Sequence, residues 1–242
     1  MSGDADQGIL VVSAHAADFV WRTGGLIALA AAAQRPVRVV CLSYGERGES
    51  QGAWKQPGMT VEAVKAMRRS EALAAADDLG AEVTFLDVGD YPLGAPADLL
   101  DTLVEQMREW QPGLIVTHSS ADPYNDDHAV AAHITLKARM AAQAAGRVSS
   151  HPPIGAPNVY RFEPHQPEMC GFTPNLLLDI SSVFDTKVRA MRRMQAQDHL
   201  VRYYADLAVR RGVQAVRNGG SKSITHAEAY ERVFPQVVEE LR

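Results

Sequence analysis

Short runs of apolar, mostly β-branched residues alternate along the chain with longer segments in which apolar residues recur at helical spacing. The short runs predict strands at residues 9–13, 37–43, 82–87, 114–118, 158–162 and 176–180. The longer segments predict helices at residues 25–34, 61–79, 98–110 and 128 to about 145. This alternation predicts a Rossmann-like α/β protein, in which a mostly parallel sheet is flanked by helices.

Polar residues directly follow several of the predicted strands, as at His15, Gly45–Ser50, Asp87 and His118. Because ligands of open parallel sheets bind beyond the carboxyl ends of the strands, we expect these segments to meet at one edge and form the site there. Residues 151–174 hold six of the thirteen prolines, from which we expect a wall or lid over that edge.

Length and composition narrow the class of protein. With 242 residues, 46% of them hydrophobic, the chain is long enough for one large core, and we predict a single domain over residues 1–242. A net charge of −5 without a basic cluster argues against nucleic acid as a partner. Two cysteines, no signal-peptide pattern and no apolar run long enough to span a bilayer predict a cytoplasmic protein with no membrane partner. We also expect a homo-oligomer, and a solvent-facing or oligomer-facing stripe of cations at Lys187, Arg189, Arg192 and Arg193.

Two segments carry residues that could bind a metal. Ser13–Phe19 places His15 and Asp18 three residues apart after the first strand, and Thr117–His128 adds acids and further histidines after the fourth. Two histidines, two or more acids and one open position are typical of a catalytic zinc site. Ala17 stands beside Asp18, where a metal-dependent hydrolase could place its general base. The pattern therefore predicts zinc without the expected hydrolytic chemistry. The sequence motifs of serine hydrolases, P-loop NTPases and dinucleotide oxidoreductases are missing, which argues against these three classes of enzyme.

Five features together resemble the LmbE-like, or PIG-L, zinc deacetylases: Ala14-His-x-x-Asp18, Gly24-Gly25, Gly45-Glu-x-Gly48, Arg68-x-x-Glu71 and Asp127-His128. The resemblance implies the LmbE-like fold and one zinc ion per chain, bound by His15, Asp18 and His128. In that family an aspartate that activates water stands at the position of Ala17, and a histidine that stabilises charge stands at the position of Asn125. These two replacements argue against amide hydrolysis.

A lyase branch of the same fold, the 4-oxalomesaconate hydratases, is similar to the chain from end to end. The similarity lies in the segments at residues 17–22, 45–50, 122–125, 162–168 and 212–215. It implies addition of water to a carbon–carbon double bond of an unsaturated oxo tricarboxylate from gallate and protocatechuate degradation. The product would be 4-carboxy-4-hydroxy-2-oxoadipate.

Hydration of a conjugated double bond requires an electrophile that holds the developing enolate and side chains that move protons. Zinc would supply the first. For proton transfer the candidates are Glu49, slightly favoured, and Glu46 on the loop after the second strand, with His165 from the proline-rich segment behind them. A tricarboxylate also requires cationic partners. We therefore predict substrate contacts for a further set of residues, namely Arg22, Arg47, Arg68, Tyr124 and Asn125.

Simpler structural roles remain open for several of these residues. His15 and Asp18 could form only a hydrogen-bonded pair, Glu46 could pair with Arg47, and Arg22 and Arg68 could lie on solvated helix faces. At the level of function, a zinc-dependent N-deacetylase and a metal-holding protein without activity stay as alternatives. The inactive protein would not explain the two acids retained in Gly-Glu-Arg-Gly-Glu.

Overall fold

The computed structural model describes residues 7–238 and residue 240, and a seven-stranded sheet forms its centre. The strands are β1 (Ile9–Ser13), β2 (Val37–Cys41), β3 (Glu82–Phe85), β4 (Leu114–Thr117), β5 (Asn158–Phe162), β6 (Leu176–Asp179) and β7 (Ala227–Arg232). Their order across the sheet is β3-β2-β1-β4-β5-β7-β6. The first five strands run parallel, and β7 is antiparallel to both of its neighbours. The single-domain, mostly parallel α/β fold is therefore confirmed.

Helices cover both faces of this sheet. They are α1 (Asp18–Ala32), α2 (Gln51–Trp54), α3 (Val61–Leu79), α4 (Leu99–Trp110), α5 (Asp126–Ala142), α6 (Phe184–Met191) and α7 (Leu200–Arg217). Short 3-10 turns lie at Ser181–Val183 and Gln195–Gln197. Because successive strand residues point to opposite faces, Ile9 and Val11 pack with α1, α3 and α6, whereas Leu10 and Val12 pack with α4 and α5. Two apolar cores result, one on each face.

Capping residues set the ends of two helices that matter for the site. The Thr60 hydroxyl accepts a hydrogen bond from the Ala63 N–H at the start of α3, and Gly80 ends that helix in the left-handed conformation, with φ of 78°. The Asn125 side chain accepts from the Asp127 N–H at 3.2 Å and begins α5. His128 therefore stands in the first turn of α5, directly beyond the carboxyl end of β4.

The structure differs from the sequence prediction in three places. Helix α1 begins at Asp18 and not at residue 25, because Asp18 and Arg22, which line a cavity, interrupt the apolar spacing of its first turns. The alternation also misses β7, where a buried glutamate, Glu228, interrupts the apolar residues. Lys187, expected on an exposed stripe, is buried, with its Nζ 2.7 Å from Glu228 Oε1.

Within the described ranges, no helix has the length and hydropathy required to cross a membrane.

Candidate metal centre and active site

A cavity of about 260 Å³ opens at the carboxyl ends of the central parallel strands, where the strand-end argument predicts a site. Seven of the candidate residues line it, namely Asp18, Arg22, Glu49, Tyr124, Asn125, His128 and His165. His15 lies buried beneath them. Glu46, Arg47 and Arg68 are not part of the lining.

The two ring nitrogens of His15 have different surroundings. Nε2 lies 3.0 Å from Asp127 Oδ2, a hydrogen bond in which the ring nitrogen donates. Nδ1 is buried without a hydrogen-bond partner among the described residues, and it faces Asp18 Oδ2 at 3.2 Å. Burial by itself lowers the pKa of His15, but Asp127 and Asp18 outweigh it and raise the pKa to about 10. The acids therefore favour a cation at Nδ1, which a bound metal ion would supply in place of a proton.

His128 is held in a similar way from the other side of the cavity floor. Its Nδ1 lies 2.8 Å from Asp122 Oδ2, and its Nε2 lies 3.5 Å from Asp18 Oδ1. Asn125 Nδ2 lies 3.3 Å from the same Nε2 but donates its short hydrogen bond, of 2.7 Å, to Glu49, so Nε2 keeps a lone pair that a metal could take. The proton of the neutral ring is then on Nδ1, where Asp122 accepts it.

The Asp18 carboxylate lies beside both imidazoles, with Oδ2 3.2 Å from His15 Nδ1 and Oδ1 3.5 Å from His128 Nε2. Each imidazole is held at its remote nitrogen by a carboxylate, the usual arrangement of metal-binding histidines. Imidazole and carboxylate donors that face an open cavity suit zinc in a catalytic site. The orphaned, buried Nδ1 of His15 fits this assignment, because a metal ion would give it a partner.

His118 lies close by, with its Nε2 3.5 Å from Asp18 Oδ2, and its geometry removes it from the ligand set. The Ala14 N–H donates to the same Nε2 at 2.9 Å, which occupies the lone pair that a metal would need. Burial, followed by the neighbouring His128, holds the pKa of His118 well below its usual range. His118 is therefore neutral and supports the backbone after β1.

Glu49 reaches the same place from the loop after β2. Gly45 has φ of +69°, and a Cβ there would lie 2.8 Å from the Glu49 Cβ, so glycine allows the tight turn. The Glu49 carboxylate accepts hydrogen bonds from Asn125 Nδ2 at 2.7 Å and from Gln197 Nε2 at 2.8 Å. One of its oxygens lies within 4.8 Å of the nitrogens that both histidine ligands offer. The carboxylate therefore faces the candidate metal centre.

Glu46 and Arg47 point away from the cavity, in contrast to the sequence prediction. Glu46 Oε1 lies 3.2 Å from Arg47 Nη1 and 3.8 Å from Lys65 Nζ, and burial raises the pKa of Glu46. Asp90 accepts from the N–H groups of Arg47 and Gly48, which fixes the direction of the loop. The pairing of Glu46 with Arg47, the simpler alternative, is what the structure contains.

Arg68 is also absent from the cavity, because the face of α3 that carries it packs inside the protein. It is fully buried, with Nη1 2.7 Å from Glu71 Oε2 and Nη2 donating to Gln197 Oε1 at 3.0 Å. Arg22, by contrast, lines the cavity with its Nε 3.3 Å from Asp18 Oδ1. Within the described part of the chain, it is the single arginine or lysine of the lining.

Ala17 and Asn125, the two positions that depart from the deacetylase pattern, lie in different surroundings. Ala17 is buried in the apolar core and offers no polar atom to the centre. Asn125 spans the N-terminus of α5 and the Glu49 carboxylate, through its oxygen and its nitrogen respectively. Tyr124 beside it is 60% exposed at the mouth of the cavity.

The proline-rich segment contributes its second half to the cavity, where His165 and Gln166 form part of the wall. The His165 ring packs 4.2 Å from that of Tyr203, centroid to centroid. Burial and then the nearby Arg22 lower the pKa of His165, so its imidazole is neutral at pH 7. The first half packs elsewhere, with Ile154 in the core beside α4 and α5. Whether the segment moves as a lid stays a prediction.

The sequence argument assigns no role to four residues of the site: Asp122, Asp127, Tyr91 and Gln197. The two aspartates precede His128 in the same motif, so the carboxylate partners of the histidines could have been inferred from metal-site chemistry. Tyr91 follows Asp90 in the loop after β3, and its N–H donates to Asp127. Gln197 sits in a 3-10 turn distant in sequence, and no local pattern marks it.

Comparison with known proteins defines the class of this protein. The family model described as PIG-L: GlcNAc-PI de-N-acetylase matches residues 10–139, more than half of the chain. The chain therefore belongs to the PIG-L family, which is metal-dependent, and it carries candidate metal-binding residues.

Individual relatives show which members of the family the chain is similar to. The chain is 51% identical to a 4-oxalmesaconate hydratase of Pseudomonas putida over 235 residues, covering 96% of this chain and 91% of that protein. The crystal structure of GalB, the 4-carboxy-2-hydroxymuconate hydratase of Pseudomonas putida, superposes with a TM-score of 0.95 at 50% identity, covering 98% of this chain and all of that one. The N,N'-diacetylchitobiose deacetylase of Pyrococcus horikoshii shares the fold at 18% identity, with a TM-score of 0.78 over 94% of this chain and 84% of that one.

Proposed function

We propose that this protein is a zinc-dependent hydratase that adds water to a carbon–carbon double bond of 4-oxalomesaconate, giving 4-carboxy-4-hydroxy-2-oxoadipate. The observation that carries the proposal is the position of the acid: residue 17 offers no carboxylate, whereas Glu49 presents one to the metal centre. The identity of 51% to a 4-oxalmesaconate hydratase, over almost the full length, supports the substrate.

His15, Asp18 and His128 are the proposed zinc ligands. When bound, zinc would polarise the oxygen of the 2-oxo or enol group and stabilise the negative charge that develops there. Asp127 and Asp122 hold the two rings so that Nδ1 of one and Nε2 of the other face Asp18. The side chains thereby keep the ligand atoms together and leave the cavity side open for substrate.

Glu49 is the proposed base for the attacking water. Asn125 and Gln197 donate one hydrogen bond to each of its oxygens, which fixes the plane of the carboxylate. His165, on another wall of the cavity, is neutral at pH 7 and is proposed as the second proton-transfer group. In the proposed step Glu49 takes a proton from water and passes it to the neutral imidazole of His165, and the resulting imidazolium delivers that proton to carbon, so no net proton is gained or lost.

Arg22 is the proposed partner of a substrate carboxylate, because it is the arginine that the fold brings to the cavity. Tyr124 and Asn125, which also line the cavity, are proposed to contact the substrate through their hydroxyl and amide groups. Arg47 and Arg68 are no longer proposed for this role, since both are engaged with acids outside the cavity. A homo-oligomer in the cytoplasm remains a prediction.

A metal-removal experiment tests this function. Chelation should abolish hydration of an unsaturated oxo tricarboxylate, and added zinc should restore it. His15→Ala and His128→Ala should each lose bound metal, measured by elemental analysis of purified protein. Unchanged metal occupancy in both variants would contradict the ligand assignment. A deacetylase is not favoured, because both groups that would assist amide hydrolysis are replaced, at Ala17 and Asn125.

A further inference from the structure

A continuous line of hydrogen bonds connects the buried arginine of α3 to Glu49. Arg68 Nη2 donates to Gln197 Oε1 at 3.0 Å, and Gln197 Nε2 donates to Glu49 Oε2 at 2.8 Å. Trp21 Nε1 donates to the same amide oxygen at 3.2 Å. Arg68, Trp21 and Gln197 are all buried, so water competes little for these bonds.

The chemistry of the donors determines which way the Gln197 amide faces. A guanidinium group and an indole N–H can only donate, so the atom that both approach must be the amide oxygen. The amide nitrogen is then the atom that faces Glu49, and it can only donate. Gln197 therefore accepts hydrogen bonds from Arg68 and Trp21 at its amide oxygen and donates one from its amide nitrogen to the Glu49 carboxylate.

Arg68, which begins this line of hydrogen bonds, is also held by Glu71. Glu71 Oε2 lies 2.7 Å from Arg68 Nη1, and Glu71 Oε1 accepts from the Ala196 N–H at 2.9 Å. The same arginine–glutamate pair thus holds both the side chain of Gln197 and the backbone residue before it. The 3-10 turn Gln195–Gln197 is tied to α3 from two directions.

We propose that Gln197 is a positioning residue, which holds the Glu49 carboxylate in the orientation that faces the metal centre and is itself held by Arg68. Asn125 restrains the other carboxylate oxygen, so loss of Gln197 frees one oxygen and lets the group rotate. This inference rests on the proposed function, in which Glu49 removes the proton from water. It also gives the buried Arg68 a role that does not require contact with the substrate.

Two substitutions remove the donor while keeping the size of the side chain. Gln197→Glu retains an acceptor for Arg68 and Trp21 but turns a second carboxylate toward Glu49, and Gln197→Leu removes the donor without adding charge. Both should lower kcat by about 10–100-fold, since misplacement of a reacting group has effects of this order. KM should stay within about threefold of the parental value, because the proton-transfer step and not ground-state binding is affected. Metal content should be unchanged.

A double substitution separates positioning of Glu49 from a general structural effect. In a Glu49→Gln protein, Gln197→Glu should change kcat by less than about twofold, because residues that act as one unit are not additive. Gln143→Glu is the matched control: it adds the same charge at the far end of α5, about 22 Å along the helix from His128, and should leave kcat at the parental value.

The results distinguish failure of the inference from failure of the proposed function. Parental kcat in both Gln197 variants, or an equal loss in the parental and Glu49→Gln backgrounds, would overturn the positioning role. A parental protein that does not hydrate the substrate at all would overturn the proposed function, and with it the role assigned here.

Discussion

Two aspartates fix which ring nitrogens of the proposed histidine ligands face Asp18. Asp127 holds His15 at Nε2 and Asp122 holds His128 at Nδ1, so opposite ring nitrogens of the two residues face Asp18. A carboxylate on the remote nitrogen fixes the ring orientation and raises its basicity toward a metal ion. The affinity of the centre should therefore depend on residues that never touch the metal.

Asp122→Asn tests this dependence. The amide should bind His128 less firmly, and metal affinity should fall by about 10–100-fold. Competition with a chelator of known affinity measures the change. The matched control is Asp126→Asn on the first turn of α5, whose side chain is exposed, and it should retain parental affinity. Equal affinities in all three proteins would show that Asp122 does not orient a ligand.

The two glutamates of the loop after β2 should behave differently. Glu49→Gln should reduce kcat by roughly 10²–10⁴-fold while the metal stays bound, as expected for loss of a general base. Glu46→Gln should have a much smaller effect, because Glu46 faces Arg47 and Lys65 outside the cavity. Steady-state kinetics on both variants measure the difference. A larger loss in Glu46→Gln would reverse the assignment.

His165 should titrate below the usual range of histidine. Burial and the charge of Arg22 both disfavour the imidazolium, which lowers the pKa of His165 below 6.5. The ring should therefore remain neutral as the pH falls from 8 to 6.5 and take up its proton only in more acidic solution. An NMR titration, with the signal assigned by its loss in His165→Gln, measures the midpoint. A midpoint above 6.5 would contradict this environment.

The sequence places the proposed ligands better than the groups around them. His15, Asp18 and His128 follow strands of one parallel sheet, and the carboxyl ends of such strands necessarily meet. Glu46 and Arg68 show the limit of that argument, since the direction of a side chain depends on partners such as Lys65 and Gln197. Those partners come from other segments, and no spacing within the local motif specifies them.

Helix α1 is the element that carries both Asp18 and Arg22 to the cavity, and a buried cluster holds its middle. Glu228 of β7 accepts hydrogen bonds from the N–H groups of Gly25 and Leu26 and pairs with Lys187 Nζ at 2.7 Å. The Glu228 carboxylate thus accepts hydrogen bonds from backbone N–H groups in the middle of α1. This contact joins α1, α6 and β7 beneath the site.

Lys187→Met should destabilise the fold. Removing one partner of a buried ion pair leaves an uncompensated charge, and the cost is about 3–5 kcal/mol. Urea unfolding followed by circular dichroism measures the free energy of unfolding. Arg202→Ala, which breaks the exposed contact of Arg202 with Asp206, is the control and should cause no measurable change. Equal stability of the Lys187→Met protein would show that the buried pair is dispensable.

The sequence predicts well those helices whose ends are marked by capping residues. For α3 the predicted and observed bounds coincide, because Thr60 and Gly80 cap a helix with clear periodicity. Strand β7 is not predicted, because Glu228 is polar and its burial depends on Lys187, which is distant in the sequence. Tertiary pairing of this kind overrides a local hydrophobic pattern.

The whole molecule shows how one fold supports different reactions. The deacetylase of Pyrococcus horikoshii shares its fold with this chain, and the PIG-L family model matches residues 10–139. At the proposed metal centre of this chain, residue 17 offers no carboxylate and Glu49 presents one from another loop. Function therefore follows the arrangement of the site and not the fold alone.

A side-by-side assay of the metal-loaded protein tests whether hydration is the reaction. An unsaturated oxo tricarboxylate is followed by absorbance, and acetate release is measured from a panel of N-acetylated sugars. We predict rapid loss of the absorbance of the conjugated double bond and no release of acetate. Robust acetate release without an absorbance change would contradict the proposed hydratase, and would show that the ligand set predicts the reaction better than the position of Glu49.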